Sequence, residues 1–235
     1  MRNGKDKTTC AVPVLHLGSP TGLYGAERWI LAILRYLDPS EIRSFVAVIQ
    51  DDEPADQVPL CDAAASMGIE TTVFHSPGKL SLSAIGQIRR FIEDNAIGIV
   101  HSHGYKTDII GLLATRGTGC KVVSTPHGWS VANEGLMLTL YEILDRISFL
   151  FMDAVVPLSP ELYDGLARWP FMNKKLRFIR NGVDLRELDA ELSRHAKVRP
   201  DGEGIHFAIG YIGRLTPLKC VDVLIQACSQ LEGVE

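Results

Sequence analysis

A doubly wound α/β domain, in which helices cover both faces of a parallel sheet, is the fold class that this sequence predicts. Short apolar runs with little alternation recur from Val12 to Ile179, as expected of strands buried on both faces. Between them lie longer stretches whose apolar residues recur three and four apart, so strand and helix alternate. Seven strands and six helices follow from this alternation, and such a series builds a parallel sheet.

The first strand is Val12 to Leu17, followed by the glycine-rich loop Gly18-Ser19-Pro20-Thr21-Gly22-Leu23-Tyr24-Gly25. Ala26, Trp29, Ile30, Ile33, Leu34 and Leu37 then lay one apolar stripe along a helix that Asp38-Pro39 ends. The loop has neither the Gly-x-Gly-x-x-Gly spacing of dinucleotide enzymes nor the Gly-Lys-Ser/Thr of a P-loop. A strand at Phe45 to Ile49 leads to a helix from about Asp56 to Met67, with Pro59 in its first turn and Gly68 as its stop. Strand Glu70 to Phe74 precedes a helix that Ser81 starts, that Ile85, Ile88 and Ile92 pack, and that Asn95 is expected to close in a left-handed cap. Strand Ile97 to Ser102 leads into a helix around Thr107 to Thr115, and strand Lys121 to Thr125 into the long helix of Leu136, Leu140, Ile143, Ile147 and Leu150. Strand Ala154 to Leu158 meets Ser159-Pro160-Glu161, where serine caps, proline takes the first helical position and the acid faces the dipole. The last strand is Leu176 to Ile179, closed by Asn181-Gly182.

These elements define a first domain over residues 1–184, and the polar stretch 185–204, with a short helix at Leu185 to Ala196, reads as an interdomain segment. Residues 205–235 begin another α/β unit: strand Phe207 to Ile212, then a helix of Val221, Leu224, Ile225 and Cys228. One strand and one helix close no core of their own, so we expect this second domain to be incomplete. Between them stands Gly213-Arg214-Leu215-Thr216-Pro217-Leu218-Lys219. Two cations beside the bare amides of a helix N-terminus suit a diphosphate.

A net charge of -4 over 235 residues argues against a nucleic-acid partner, which would need a basic surface. Met1 to Thr9 are polar with no apolar run behind them, so no secretory signal is visible and a cytoplasmic location is expected. The most apolar window, Ile143 to Leu158, is interrupted by Asp145, Arg146 and Asp153; a charge at the bilayer centre costs about 2.5 to 3.5 kcal/mol. Cys10, Cys61, Cys120, Cys220 and Cys228 form no Cys-x-x-Cys pair and read as reduced, mostly buried residues.

Ligands of an open parallel sheet bind beyond the C-terminal ends of its strands. The residues there are Gly18 to Gly25, His101-Ser102-His103, Pro126-His127-Gly128-Trp129, Ser159 and Asn181. His127, between a proline and a glycine, either projects into the crevice to hydrogen-bond a sugar hydroxyl or phosphate, or satisfies local backbone groups. His101 and His103 raise the thought of a metal. We expect the alternation of the strand to direct the two rings apart, one of them packed, and no metal to be held. The Gly22 to Gly25 loop either lets a phosphate approach the helix start or is a tight turn. Arg168, Lys174, Lys175, Arg177 and Arg180, interleaved with Trp169, Phe171 and Phe178, offer a peripheral membrane contact, though a solvated loop explains them better.

Gly25-Ala26-Glu27, His101 to Lys106 (His-Ser-His-Gly-Tyr-Lys), Pro126 to Trp129 (Pro-His-Gly-Trp), Asn181 to Asp184 (Asn-Gly-Val-Asp) and Gly213 to Lys219 (Gly-Arg-Leu-x-x-x-Lys), in that order, resemble glycosyltransferase family 4. The resemblance implies a GT-B fold: two Rossmann-like domains facing across a cleft, of which this chain would hold the whole acceptor-side domain and only the first strand-helix unit of the donor domain. It implies retaining transfer of a sugar from a nucleotide-diphosphate sugar to a saccharide or lipid-linked acceptor, in envelope or exopolysaccharide assembly, with no metal or other cofactor. Gly25 would meet the donor phosphates through its amide, His127 would sit at the transferred sugar, and Arg214 and Lys219 would clamp the diphosphate. Gly22, His103 and Asn181 would line the cleft. Cys220 stands where the family has a glycine, and the acidic Glu-x7-Glu motif is absent, since Glu232 and Glu235 do not supply it. An alternative is a non-catalytic partner subunit, whose lone strand pairs with another chain to give an oligomer. A nucleotide-sugar epimerase is disfavoured, because no carboxylate acid/base set stands at the strand ends.

Overall fold

The computed structural model describes residues 11–18, 22–51, 57–76, 82–127, 136–195, 209–213, 215 and 219–231. The chain divides into two compact units with the boundary between Val183 and Asp184.

The first unit is a six-stranded, wholly parallel sheet in the order β3-β2-β1-β4-β5-β6. Its strands are β1 (Val12–Gly18), β2 (Ile42–Asp51), β3 (Glu70–Ser76), β4 (Ile99–Ser102), β5 (Lys121–Ser124) and β6 (Ala154–Val155). Helices α1 (Gly25–Tyr36), α2 (Pro59–Ser66), α3 (Leu82–Asp94), α4 (Tyr105–Thr115), α5 (Leu136–Phe149) and α6 (Pro160–Ala167) alternate with them. The apolar residues sort by strand parity. Leu15, Leu17, Phe45, Ala47 and Ile49 pack on one face against Ile88 and Ile92 of α3 and Ile110 of α4. Val46 and Val48 pack on the other, against Ile30 and Leu34 of α1 and Leu60 of α2. Strands buried on both faces need no polar side, which is why the apolar runs showed so little alternation. A third cluster, Val122, Phe149, Met152, Val155, Leu166 and Met172, closes the β5–β6 edge. There Asp153 ties the turn down, its carboxylate accepting from Lys121 Nζ at 2.8 Å and from the Val122 amide at 2.9 Å.

Three expectations about the element boundaries of this unit need correction. The strand expected over Ala154 to Leu158 stops after Val155, because Pro157 has no amide to extend the ladder. The strand expected at Leu176 to Ile179 shrinks to one parallel bridge, Val155 to Leu176, since so short a β6 offers little edge to pair with. Asn95 does not close α3 in the left-handed conformation; Ala96 does, at φ 49°, while the Ile97 amide reaches back to the Ile92 carbonyl at 2.9 Å.

The second unit contains α7 (Leu185–His195) and α8 (Val221–Cys228). The strand expected at Phe207 to Ile212 does not form over residues 209–212, and Phe207 and Ala208 lie outside the described residues. No residue of α8 is buried, and Ile212, Leu215, Val223 and Ile225 are exposed. Among the described residues, no strand pairs with residues 209–212 to hold them extended.

One buried polar contact anchors the end of β4. Ser102 faces away from His101 and His103 and donates its hydroxyl to Asp108 of α4, a fully buried carboxyl. Burial first, and then the neighbouring Asp145 carboxyl of α5, push Asp108 well above its ordinary value of 3.8. An acid that keeps its proton to higher pH when folded than when unfolded adds stability that is full below its ordinary value and lost as pH rises. Asp108→Asn keeps the acceptor for Ser102 and removes the titration. We expect it to be more stable than the parent by about 1 to 2 kcal/mol at pH 7 and nearly equal to it at pH 4. Urea denaturation at both pH values measures this, and an equal difference at the two contradicts it.

Candidate functional site

The strand order reverses direction between β1 and β4, since the chain steps outward to β2 and β3 on one side and to β5 and β6 on the other. Open α/β sheets hold their ligands beyond the strand ends at such a point. Two strands that meet there carry histidines. Parallel pairing sets His16 directly beside His101, and because Leu15 and Leu17 turn to the α3 and α4 side, His16 turns to the α1 side.

His101 and His103 follow His16 onto the same face. The expectation that strand alternation would direct them apart fails, because alternation separates neighbours while residues two apart share a face. Their ring centroids are 4.2 Å apart, and His16 lies 5.3 Å from His101 and 6.3 Å from His103. The ligand nitrogens of these three rings all lie within 4.8 Å of one another. His127, just past β5, joins them with its Nε2 3.3 Å from His103 Nδ1. Trp29 of α1 covers three of the four rings, lying 5.9 Å from His101, 5.4 Å from His103 and 5.8 Å from His127. Thr125, fully buried, holds His101 Nε2 at 2.7 Å.

Burial sets the charge state of this cluster. It lowers His16 and His127 to about 4, and it takes His101 and His103 well below the usual imidazole range, with the neighbouring imidazoles adding to the effect. All four rings are therefore neutral at pH 7, each with one N–H donor and one lone pair. Such rings hydrogen-bond hydroxyls well and supply no cation to a phosphate.

The phosphate-suited feature nearest in sequence is the start of α1. Tyr24 is its cap, and its amide donates to the buried Glu27 carboxylate at 3.1 Å. Gly25, the first helical residue, is exposed, and a side chain added there would meet nothing within 4 Å. Gly22 differs: its φ of 154° is one that side chains rarely adopt, and an added Cβ, 3.1 Å from the exposed Tyr24 ring, would oblige that ring to shift.

Of the residues singled out from the sequence, the structure brings His103 and His127 into contact. Gly22 and Gly25 sit at the end of the loop before α1, and Asn181 is exposed beyond the Leu176 bridge. Lys219 is exposed in the second unit, and Arg214 lies outside the described residues, as do Gly128 and Trp129. His16, Trp29 and Thr125 were missed. His16 was hidden inside an apolar strand and Trp29 inside an apolar stripe; only the pairing of β1 with β4 exposes them as a group. The basic residues of the supposed membrane contact are partly committed to backbone: Lys175 Nζ caps the carbonyls of Leu150 and Met152 at 2.5 and 2.7 Å, and Arg177 holds those of Lys174 and Leu176. A pocket of about 330 Å³ lined by Arg116, Cys120, Phe151 and Asp153 lies at the N-terminal end of β5, away from this crevice.

The profile of Glycosyltransferase Family 4 matches residues 24–187. Among solved structures, Anabaena HepE in complex with UDP and glucose is similar at 18% identity and TM-score 0.67, over 93% of this chain and 58% of that one. A glycosyltransferase from Rickettsia africae is similar at 17% identity and TM-score 0.53, over 79% of this chain and 50% of that one. The lipopolysaccharide outer core galactosyltransferase WaaB, in its apo form, is similar at 14% identity and TM-score 0.54, over 74% of this chain and 46% of that one. The chain thus spans about half the length of these proteins, and the likeness places its fold with the Rossmann-like α/β units of GT-B enzymes. No curated protein matches the chain.

The contact of Thr125 with His101 can be tested directly. Thr125→Val leaves a buried imidazole nitrogen unmatched and should destabilise the chain by about 1 to 3 kcal/mol, while Thr125→Ser, which keeps the hydroxyl, should recover most of that loss. Denaturant melts of the two variants check this; equal losses would show that the methyl, not the hydroxyl, matters.

Proposed function

The chain belongs to Glycosyltransferase Family 4, and on that premise we propose that it serves the transfer of a sugar from a nucleotide-diphosphate sugar to a saccharide or lipid-linked acceptor. The observation that carries this reading is the placement of family-matching residues at the β1–β4 switch point: Gly25 opens the helix that follows β1, and His127 stands past β5 against His103. Anabaena HepE, which shares the fold, holds UDP and glucose.

In this reading the donor diphosphate approaches the first turn of α1, whose dipole favours anionic oxygen. Gly25 lets it come close. His127, neutral, hydrogen-bonds a hydroxyl of the transferred sugar. Arg214 and Lys219 neutralise the diphosphate as the anomeric C–O bond breaks. The acceptor oxygen attacks from the same face, and its proton passes to the departing phosphate, so that the configuration is retained without a catalytic metal. The acceptor lies on the side of Gly22, His103 and Asn181. No helix among the described residues is long and apolar enough to cross a membrane; we place the reaction in the cytoplasm, with a lipid-linked acceptor met at the membrane surface.

Calorimetric titration of the chain with UDP-glucose tests the reading. Saturable binding is expected, and its absence would overturn it. In a transfer assay His127→Gln should lower kcat about 10² to 10³-fold, as loss of one well-placed group does, with the donor KM changed only a few-fold. Gly25→Ala should leave thermal stability equal or slightly higher, since its site is open and alanine favours helix, yet weaken UDP-glucose binding at least tenfold. Unchanged binding in that variant would remove the α1 start from the phosphate site.

A further inference from the structure

We propose that His16, His101 and His103 form a binding site for a divalent cation of the zinc class at the β1–β4 junction. The site is set by the backbone. Parallel register places His16 beside His101, two-residue periodicity puts His103 on the same face, and Trp29 covers all of them except His16.

The nitrogens point to a ligand of their own. His16, only 2% exposed, has neither Nδ1 nor Nε2 paired with any described residue, and the buried Nε2 of His103 is likewise unpaired. Leaving a buried polar atom unmatched costs about 1 to 3 kcal/mol, so native folds rarely gather several in one place without a purpose. The remaining nitrogens are already used in the way that metal-bound histidines use theirs: His101 Nε2 is held by Thr125 and His103 Nδ1 by His127. Both nitrogens of His16 and the Nε2 of His103 are thus left facing no hydrogen-bond partner among the described residues, and the Thr125 contact at Nε2 leaves Nδ1 as the coordinating position of His101.

The donor set selects the ion. Three imidazoles with no thiolate and no carboxylate suit zinc and its late first-row neighbours, and not magnesium or calcium, which take oxygen ligands. Zinc–nitrogen bonds of about 2.0 to 2.1 Å put tetrahedral ligands about 3.3 Å apart. One nitrogen from each ring lies within 4.8 Å of the other two, so the rings must draw closer to hold an ion. An ion on His103 Nε2 would fix the proton of that ring on Nδ1, donating to His127 Nε2. The ion therefore positions His127 and takes no part in phosphate binding, and the inference stands whether or not the donor reading above is correct.

The full chain, dialysed against zinc and then against metal-free buffer, should retain about one zinc per chain by elemental analysis. His16→Gln and His101→Gln should each weaken retention at least tenfold, and His75→Gln, on exposed β3 surface, should leave it unchanged. Circular dichroism confirms that the variants are folded. Should His16→Gln fail to fold, the cobalt-substituted parent decides: ligand-field bands without a sulfur-to-metal charge-transfer band support the histidine site, and a charge-transfer band moves the ion to a cysteine and overturns it. No zinc on the folded parent, or equal zinc on a folded His16→Gln, also overturns it.

Discussion

Everything that is chemically distinctive in this chain depends on one pairing, that of β1 with β4. Parallel pairing has a single register that keeps Leu15 and Leu17 in the core shared with α3 and α4. A slip of one residue would exchange those leucines with His16 and place a bare imidazole in an apolar cluster. The hydrophobic core therefore enforces the position of a polar group on the opposite face. It does so where the sheet reverses its winding and helices leave room for a ligand.

Burial then decides what that polar group can do. In water four histidines would carry partial positive charge near neutrality; removed from water, three of them under Trp29, they are held neutral. A neutral cluster suits one part of a sugar nucleotide better than another. It offers donors and lone pairs to hydroxyls, and in the proposed reading phosphate charge would be met elsewhere, at the first turn of α1. Ser102 and Asp108 serve this division from behind. By locking the end of β4 to α4, they hold the short His101-Ser102-His103 segment so that its odd and even residues keep to their own faces.

Much of this was legible in the sequence, for identifiable reasons. Strand-helix alternation survives as periodicity because each element buries an apolar face, so the α/β class and the grouping of His103 and His127 at the strand ends could both be read. The last strand could not, since its failure depends on how little edge β6 offers once Pro157 ends it. The left-handed closure of α3 fell on Ala96 and not on Asn95 because the Schellman bond from Ile97 fixes which residue turns, whatever its propensity. His16 was invisible for a different reason. A histidine among Val14, Leu15 and Leu17 reads as an ordinary member of an apolar strand, and only non-local pairing reveals its neighbours.

The central claim is that the switch-point crevice beside His127, and no other part of the first unit, receives the sugar nucleotide. Proton–nitrogen NMR of the chain during addition of UDP-glucose tests it most directly, because it reports on each amide and imidazole separately. The account predicts saturable shifts at the Gly25 amide and at the ring of His127, with the amides around Arg116 and Phe151 unmoved. Shifts confined to that distant pocket, with Gly25 and His127 silent at saturation, would contradict it.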